Sequence, residues 1–287
     1  MSIVGDDKAL LGPVEYAWIA KKNGVYPYGI TGTIANGADA GMARARGFTS
    51  LEETVPAGAI STAVGDNGVI GGFRQGPVET PTASLGLIVF DHTIFAAMTG
   101  STVYTDGEYD ISWASQRCLS IPDCCLVLNG RAKSQDSGAV NLPGWYTIIY
   151  PAVELFLEGL SHSGETPDAT VYTFSVLLND VDTTPWGQTI STNYGQTYGF
   201  KTRPIIADYP ITIHTIVGDN TAVAFTVDET PAGETANKVG LWTAGTKISY
   251  TTAYTVVAAT KTITYEAASK LTAGQVGIAV YQFTPSC

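Results

Sequence analysis

Hydrophobic and polar residues alternate along much of the chain, and turn-forming residues separate the alternating segments. The pattern is clearest after Tyr209, where short segments with period-two alternation follow one another closely. Regularly spaced short strands are typical of a small β-sandwich. We predict such a sandwich over residues 209–287, with strands at Ile211–Val217, Thr221–Asp228, Lys238–Thr243, Lys247–Val257, Lys261–Glu266 and Gln275–Phe283.

The first 208 residues contain longer and less regular apolar segments. Asn23-Gly24 lies between two of them, and this dipeptide strongly favours a tight β-hairpin turn. The segment between Pro204 and Pro210 predicts a boundary between the two regions, because proline interrupts helices and strands. The predicted strands before this boundary are Val14–Ile19, Val25–Tyr28, Ser84–Phe90, Val103–Trp113, Gly144–Glu158 and Thr170–Asn179.

One short helix is predicted after the strand at Ser84–Phe90. Asp91 is placed as its N-cap, and Gly100 is placed at its C-terminal end. Ile94 and Met98 are four residues apart and therefore lie on one apolar face of this helix.

Residues 31–80 contain ten glycines and few aromatic residues. We predict a long Gly-rich loop here, with a weak helix candidate at Ala38–Arg46. Compact domains rarely contain so long a stretch without secondary structure, so we expect a partner to order it. The segment is also too apolar to remain solvated, which favours burial against another copy of the chain.

Composition limits the functions that fit this pattern. There are 15 lysines and arginines against 26 aspartates and glutamates, for a net charge of −11. Charged residues make up only 14% of the chain, which excludes a coiled coil. The acidic excess argues against a nucleic-acid-binding face, because phosphate contacts need lysine and arginine. Residues 101–208 concentrate the acidity, with 5 basic and 12 acidic side chains.

Two sets of carboxylates fall on predicted strands. Asp106, Glu108 and Asp110 alternate along one strand and are expected on one of its faces. Glu154 and Glu158 also share a face, about 13 Å apart, which exceeds the separation that glycosidases use. We expect both sets to form solvated acidic surfaces.

No motif for catalysis, nucleotide binding or metal binding is present in the sequence. The three histidines, His92, His162 and His214, are isolated from one another and from cysteine pairs. We therefore predict no catalytic residue, no cofactor and no metal.

The cysteines are Cys118, Cys124, Cys125 and Cys287, and they include no C-x-x-C pair. We expect free thiols, as in a reducing compartment. The first residues include two acids where a signal peptide would have basic residues, so we expect no export by the general secretory route. No stretch predicts a membrane span.

In its layout, the chain resembles the major tail tube proteins of long-tailed bacteriophages that carry an added C-terminal immunoglobulin-like domain. The resemblance is carried by the strand and short helix of Leu85–Gly100, the strand pair Trp145–Glu158 and Thr170–Asn179, and the Gly-rich loop before Ser84. The Thr- and Val-rich region from Tyr209 is similar to the immunoglobulin-like domains of such proteins.

The resemblance implies a mainly β fold. Residues 1–208 would form a tail-tube-like β-sandwich or barrel subunit with a short helix and the long loop of residues 31–80, and residues 209–287 an Ig-like β-sandwich. The chain would be a structural subunit, not an enzyme, and would form stacked hexameric rings around an acidic channel for DNA. DNA would pass without specific binding.

The partners implied by the resemblance are other copies of the chain, the tape measure protein and the tail terminator. The assembly would be a virion tail, built in the host cytoplasm without a membrane. Asp106, Glu108 and Asp110 are the first candidates for the channel surface, and Glu154 and Glu158 are the second. The inter-ring contact candidates are the apolar residues Phe48, Leu51, Val55, Ile60, Val64, Val69, Ile70 and Phe73.

Two other interpretations stay open. The chain also fits another virion component, such as a head decoration or baseplate protein. It fits a surface glycan-binding module as well, for which Trp145, Trp186 and the Tyr194–Tyr198 stretch would supply aromatic platforms. An enzyme is the class that the sequence favours least.

Overall fold

The chain folds mainly as antiparallel β-strands, in agreement with the predicted fold class. The computed structural model describes residues 9–54, 60–65, 68–74, 82–87, 91–100, 102–106, 109–114, 121–134, 143–161, 171–179, 181–189, 205–221 and 224–285. The strands in these ranges are β1 (Ala9–Asn23), β2 (Tyr26–Pro27), β3 (Asp39–Gly41), β4 (Ala43–Ala45), β5 (Phe48–Thr54), β6 (Ile60–Gly65), β7 (Gly68–Arg74), β8 (Thr82–Leu87), β9 (Thr102–Asp106), β10 (Tyr109–Ala114), β11 (Cys124–Ser134), β12 (Pro143–Ser161), β13 (Val171–Leu178), β14 (Ile205–Ala207), β15 (Ile211–Val217), β16 (Ala224–Thr226), β17 (Val239–Thr243), β18 (Thr246–Lys247), β19 (Tyr254–Val257), β20 (Thr262–Tyr265) and β21 (Val276–Gln282). The helix α1 is His92–Thr99, and short 3-10 turns lie at Ala258–Thr260 and Ala267–Ser269.

Three sheets form the body of the protein. The long sheet has the order β2-β1-β11-β12-β13-β8-β5, with β4 paired to β1 and β14 paired to β12. The middle sheet has the order β18-β17-β21-β15-β3, and the small sheet has the order β16-β20-β19. Two further hairpins, β6–β7 and β9–β10, pair separately.

The middle sheet is buried on both faces. All seven residues of β15 are buried, and consecutive strand residues point to opposite faces. On one face, the His214 ring stacks on Phe225 of the small sheet, with 5.8 Å between ring centroids. On the other face, the Thr215 hydroxyl donates a hydrogen bond to the carbonyl of Pro27 in β2. Strands with two buried faces are usually apolar throughout. The sequence of β21 is close to this pattern, whereas β15 also buries the polar residues Thr212, His214 and Thr215.

Aromatic side chains join the long sheet to the end of β21. The Phe283 ring packs edge-on against Tyr16 and Trp18, with centroid distances of 5.5 and 5.3 Å. Tyr16 also contacts Trp145, at 5.6 Å. These rings belong to one continuous apolar cluster that includes residues of all three sheets, and burial of such rings contributes strongly to stability.

A buried asparagine supplies the polar link between the long and middle sheets. The Asn129 side chain donates to the carbonyl of Ile211 (3.1 Å) and accepts from its amide (2.9 Å). The Thr147 hydroxyl donates to the same Asn129 oxygen, at 2.6 Å. Asn129 and Thr147 are fully buried, so the amide side chain satisfies backbone groups that water cannot reach.

A second apolar cluster fills the space between the far side of the long sheet and α1. The Phe95 ring of the helix lies 5.2 Å from the Phe174 ring of β13, and Met98 is also buried. The predicted helix is confirmed: the Asp91 carboxylate accepts from two amides of the first turn, and Gly100 ends the helix in the left-handed conformation.

Several local predictions agree with the structure. The hairpin at Asn23-Gly24 joins β1 to β2, and Gly24 has the positive φ that such a turn requires. The strands predicted at Gly144–Glu158, Thr170–Asn179 and Ile211–Val217 correspond to β12, β13 and β15.

Other predictions are wrong, because pairing with distant strands overrides weak local signals. The helix candidate Ala38–Arg46 is the two strands β3 and β4, which pair with β15 and β1. The long loop predicted for residues 31–80 contains β3 to β7 among its described residues. The single strand predicted at Lys247–Val257 is divided between β18 and β19.

The predicted division at residue 208 stays a prediction, but the structure extends the C-terminal sandwich beyond it. The edge strand β3 of the middle sheet comes from residues 39–41, and the sandwich shares its main core with the long sheet. Residues 209–287 alone would lack this edge strand and would expose the face that Tyr16 and Trp18 cover.

We expect Asn129→Ala to reduce the free energy of unfolding by about 2–4 kcal/mol, because it leaves the buried groups of Ile211 and Thr147 unpaired. Urea unfolding followed by tryptophan fluorescence measures this loss. Asn237→Ala is the control, since Asn237 is exposed and its substitution should cost no more than about 0.5 kcal/mol. Equal losses in the two variants would contradict the assigned role of Asn129.

Candidate functional site

Four strand segments at one end of the long sheet separate apolar from polar side chains. They are the C-terminal half of β12, then β13, β8 and β5, paired in that order. On one face, Val153 and Leu155 of β12 and Phe174 and Val176 of β13 are fully buried in the second apolar cluster. The alternate residues of the same strands therefore form the opposite face.

We call this opposite face the glutamate–hydroxyl face. It contains three glutamates, six serines or threonines, and no lysine or arginine. Apart from Gly86, its residues are partly or fully exposed. Its members are Glu154, Phe156, Glu158, Thr173, Ser175, Leu177, Thr82, Ser84, Gly86, Ser50, Glu52 and Thr54.

A β-bulge in β12 directs the glutamates to this face. Leu126 of β11 pairs with Tyr150, but Cys124 pairs with Val153, so β12 contains an extra residue between them. One inserted residue exchanges the two faces of a strand. Before the bulge, Trp145 belongs to the cluster shared with the middle sheet; beyond it, that side of the strand carries Glu154 and is open to solvent.

The three glutamates are too far apart for paired acid–base chemistry. Glu154 and Glu158 are separated by four strand residues, about 13 Å. Glu52 lies three strands away from β12, about 14 Å. Phe156, Ser175, Ser84 and Glu52 form one continuous cross-strand row between these carboxylates. The arrangement spreads negative charge over a hydrated surface.

A neutral amide extends the acidic surface at the edge of this face. Asn179, which follows β13, donates to Asp123 Oδ1 at 2.7 Å and to Glu154 Oε1 at 3.0 Å. The amide therefore holds the two carboxyl groups near each other at the edge of the face.

The apolar side keeps the glutamate–hydroxyl face in place. The Tyr150 hydroxyl donates a hydrogen bond to the Glu53 carboxylate on the edge strand β5. Burial, and then this hydrogen bond to Glu53, raise the pKa of Tyr150, so the hydroxyl keeps its proton and remains a donor. Phe48 and Leu51 of the same strand pack against the second cluster.

The structure does not place Asp106 and Asp110 on one strand, although the sequence predicted this. Asp106 ends β9 and Asp110 lies in β10, and the hairpin pairs Asp106 with Tyr109. The premise that Asp106, Glu108 and Asp110 share one strand is therefore wrong, and Glu108 lies outside the described residues. Sequence reasoning assumed that the alternation continued without a turn.

Glu154 lies on the glutamate–hydroxyl face, as predicted. Glu158 is exposed at the end of this face, at a second irregularity of β12 between Leu157 and Gly159, so its position does not follow from the four-residue spacing. Sequence reasoning missed Glu52, because Phe48–Thr54 was assigned to a loop. The alternation of Leu51 and Glu53 with Glu52 and Thr54 was the signal that would have identified this strand.

The proposed inter-ring residues fall in two places. Phe48 and Leu51 contact the protein's own core, which accounts for their apolar character. The others lie in or next to the hairpin β6–β7, whose strands pair from Ile60–Arg74 to Gly65–Gly68. This group comprises Ile60, Val64, Val69, Ile70 and Phe73, whereas Val55 lies outside the described residues.

The aromatic residues considered for glycan binding have other contacts. Trp145 is 3% exposed, and the Arg131 guanidinium covers its ring at 3.9 Å. Trp186 packs against Trp242, with ring centroids 5.5 Å apart. Residues 194–198 lie outside the described ranges.

Comparisons with other proteins give no family assignment: no model of a protein family matches the chain, and no curated protein is significantly similar to it. Within the described part of the chain, no three His, Cys, Asp or Glu side chains are grouped to hold a metal ion. No helix in that part is long and apolar enough to cross a membrane.

Two of the cysteines are described, and both are free thiols, as predicted. Cys124 and Cys125 are adjacent and fully buried, and they belong to the two different apolar clusters on opposite faces of β11. Burial raises the pKa of each thiol to about 12. Cys118 and Cys287 lie outside the described residues.

We expect Cys124 and Cys125 to resist iodoacetamide in the native protein at pH 8, because the thiolate is the reactive form and burial, by raising the pKa, keeps both thiols protonated. Both should react in urea, where the chain is unfolded. Peptide mass spectrometry after each treatment measures the difference. Equal labelling in the two conditions would show that these thiols are accessible in the folded protein.

Proposed function

We propose that the protein is a structural subunit of a bacteriophage tail tube, forming stacked hexameric rings with the glutamate–hydroxyl face turned toward the DNA channel. The observation that carries the proposal is this face, with three spaced carboxylates, six hydroxyls and no basic residue. Among the sequence candidates, the proposal retains Glu154 and Glu158 and adds Glu52.

The chemistry of this face suits a polyanion that must move without being held. Phosphate groups bind lysine and arginine, so a surface without them offers no ionic contact to DNA. Repeating each carboxylate around a ring raises the negative potential inside a narrow channel, where counter-ions screen less effectively. The hydroxyls keep the surface hydrated between the charges.

The sheet edges support a ring of identical subunits. The path of the long sheet ends at β5, which is the outermost strand of the glutamate–hydroxyl face. Exposed edge strands are prone to pair with other strands, and a closed ring of paired sheets removes such edges. Pairing of β5 with the far end of the neighbour's sheet would give a continuous barrel with this face inside.

The other proposed partners are the tape measure and tail terminator proteins of a virion tail assembled in the host cytoplasm, and DNA passes without specific binding.

Electron microscopy of the purified protein tests the assembly. We expect rings or tubes, with a concentration threshold typical of head-to-tail assembly. A variant lacking Gly58–Gly72, which removes most of the hairpin β6–β7, should keep rings and lose stacking. A monodisperse monomer at high concentration, with no effect of the deletion, would contradict the tube proposal.

A charge reversal tests the channel surface. The double variant E52K/E158K should assemble normally and should retain duplex DNA at low salt at least about tenfold more strongly than the native protein, because new phosphate contacts form in the channel. Retention is measured by co-sedimentation of tubes with DNA at several salt concentrations.

The control D182K/E266K makes the same change in net charge at two exposed carboxylates outside the glutamate–hydroxyl face. It should leave DNA retention near the native level. Equal retention by the two variants would place the glutamate–hydroxyl face outside the channel.

A further inference from the structure

One buried histidine lies at the centre of the middle sheet. His214 of β15 is 1% exposed, and its ring stacks on Phe225 at an interplanar angle of 16°. Directly opposite, β3 places Gly41 in register with His214. The histidine therefore lies where the N-terminal segment joins the C-terminal sandwich.

Each ring nitrogen of His214 faces a carboxylate. Nε2 is 3.3 Å from Asp39 Oδ1, and Nδ1 is 3.8 Å from Asp228 Oδ2. Within the described chain, neither nitrogen has a hydrogen bond of good geometry, so these two carboxylates are its polar neighbours. Asp39 and Asp228 are themselves 34% and 61% exposed, which connects the buried ring to solvent.

Gly41 creates the space for this arrangement. A Cβ atom at this position would lie 1.7 Å from Asp228 Oδ2 and 3.0 Å from His214 Nδ1. Any larger residue would displace the Asp228 carboxylate from the imidazole. The backbone of β3 thus forms one wall of the site.

The other ionisable groups around the site are two tyrosines and one lysine. Burial raises the pKa values of Tyr265 on β20 and Tyr281 on β21, so both hydroxyls stay neutral. Lys261 donates to the backbone carbonyl of Asp228 and contacts neither ring nitrogen. Among the described residues, the charged groups within 4.0 Å of the His214 ring nitrogens are the two carboxylates.

We propose that His214 is a proton-dependent latch: as an imidazolium ion it bridges Asp39 and Asp228 and holds β3 on the edge of the middle sheet, and loss of its proton loosens β3. A neutral imidazole has one donor and one acceptor nitrogen, so it would direct a lone pair at one of the carboxylates. An imidazolium donates from both nitrogens. The face of Phe225 also favours a cation. This proposal does not depend on the proposed function.

Two neighbouring amides distinguish loosening of β3 from general unfolding. The Val217 amide donates to Ala38 at 3.0 Å, next to β3, whereas the Gly218 amide donates to Gln275 at 2.9 Å, on the β21 side. Hydrogen exchange of the full-length protein between pH 5.5 and 8.5, corrected for intrinsic rates, reports both. We expect the protection factor of Val217 to fall about tenfold (about 1.4 kcal/mol) as pH rises, with Gly218 unchanged.

Nitrogen-15 spectra of the imidazole give an independent measurement on the native protein. Both His214 nitrogens should be protonated at the pH at which Val217 is fully protected. A singly protonated ring under that condition, or parallel loss of protection at Val217 and Gly218, would overturn the proposal.

Asp39→Asn and Asp228→Asn preserve side-chain size and remove one carboxylate each. In either variant the pH dependence of Val217 protection should disappear. Glu266→Gln is the control, because Glu266 is an exposed carboxylate of the same region and should leave the pH dependence intact. A pH dependence that survives both aspartate substitutions would also overturn the latch.

Discussion

Asn129 reaches from the long sheet and occupies both backbone hydrogen-bonding groups of Ile211, the first residue of β15. Asn129, Thr147 and Ile211 are buried between the two sheets, so their polar groups require partners within the protein because water cannot reach them. This requirement fixes the register between the layers, because a shift of one residue would leave Asn129 and Ile211 unpaired. The ring contacts of Phe283 with Tyr16 and Trp18 then bury apolar surface between the layers, and apolar contacts depend less on direction than hydrogen bonds do.

The middle sheet does not cover the other end of the long sheet, and there burial again decides which side chains are apolar and which are polar. There, apolar side chains on one face pack against α1, and the opposite face carries glutamates and hydroxyls. The bulge in β12 is the local change that makes this possible, since it turns Glu154 outward and keeps Val153 and Leu155 in the core. A rigid acidic surface therefore depends on a buried apolar one.

The sequence predicted those elements whose identifying residues all lie within the element itself. Asp91 and Gly100 identified α1 because its caps lie within its own sequence, and the short alternating pattern of Ile211–Val217 identified β15 as a strand. The strands β3 and β5 were not predicted, because each exists through pairing with distant strands that composition does not reveal. The error at Asp106 and Asp110 had a different source: a turn interrupts an alternation that continues in the sequence. Glu154 was found because it alternates with buried residues on both sides, whereas the irregularity at Glu158 could not be read from the sequence.

The position of β21 affects how the chain acquires its structure during synthesis. The aromatic surface of Tyr16, Trp18 and Trp145 is made early, but Phe283 and the middle sheet that cover it are made long after. Non-local pairing of this kind slows folding and leaves apolar surface open to aggregation in the meantime. A partly synthesised chain also lacks the strands on which β3 docks. Native structure is thus reached only after translation has passed β21, and a chain that ends earlier would leave this aromatic surface uncovered.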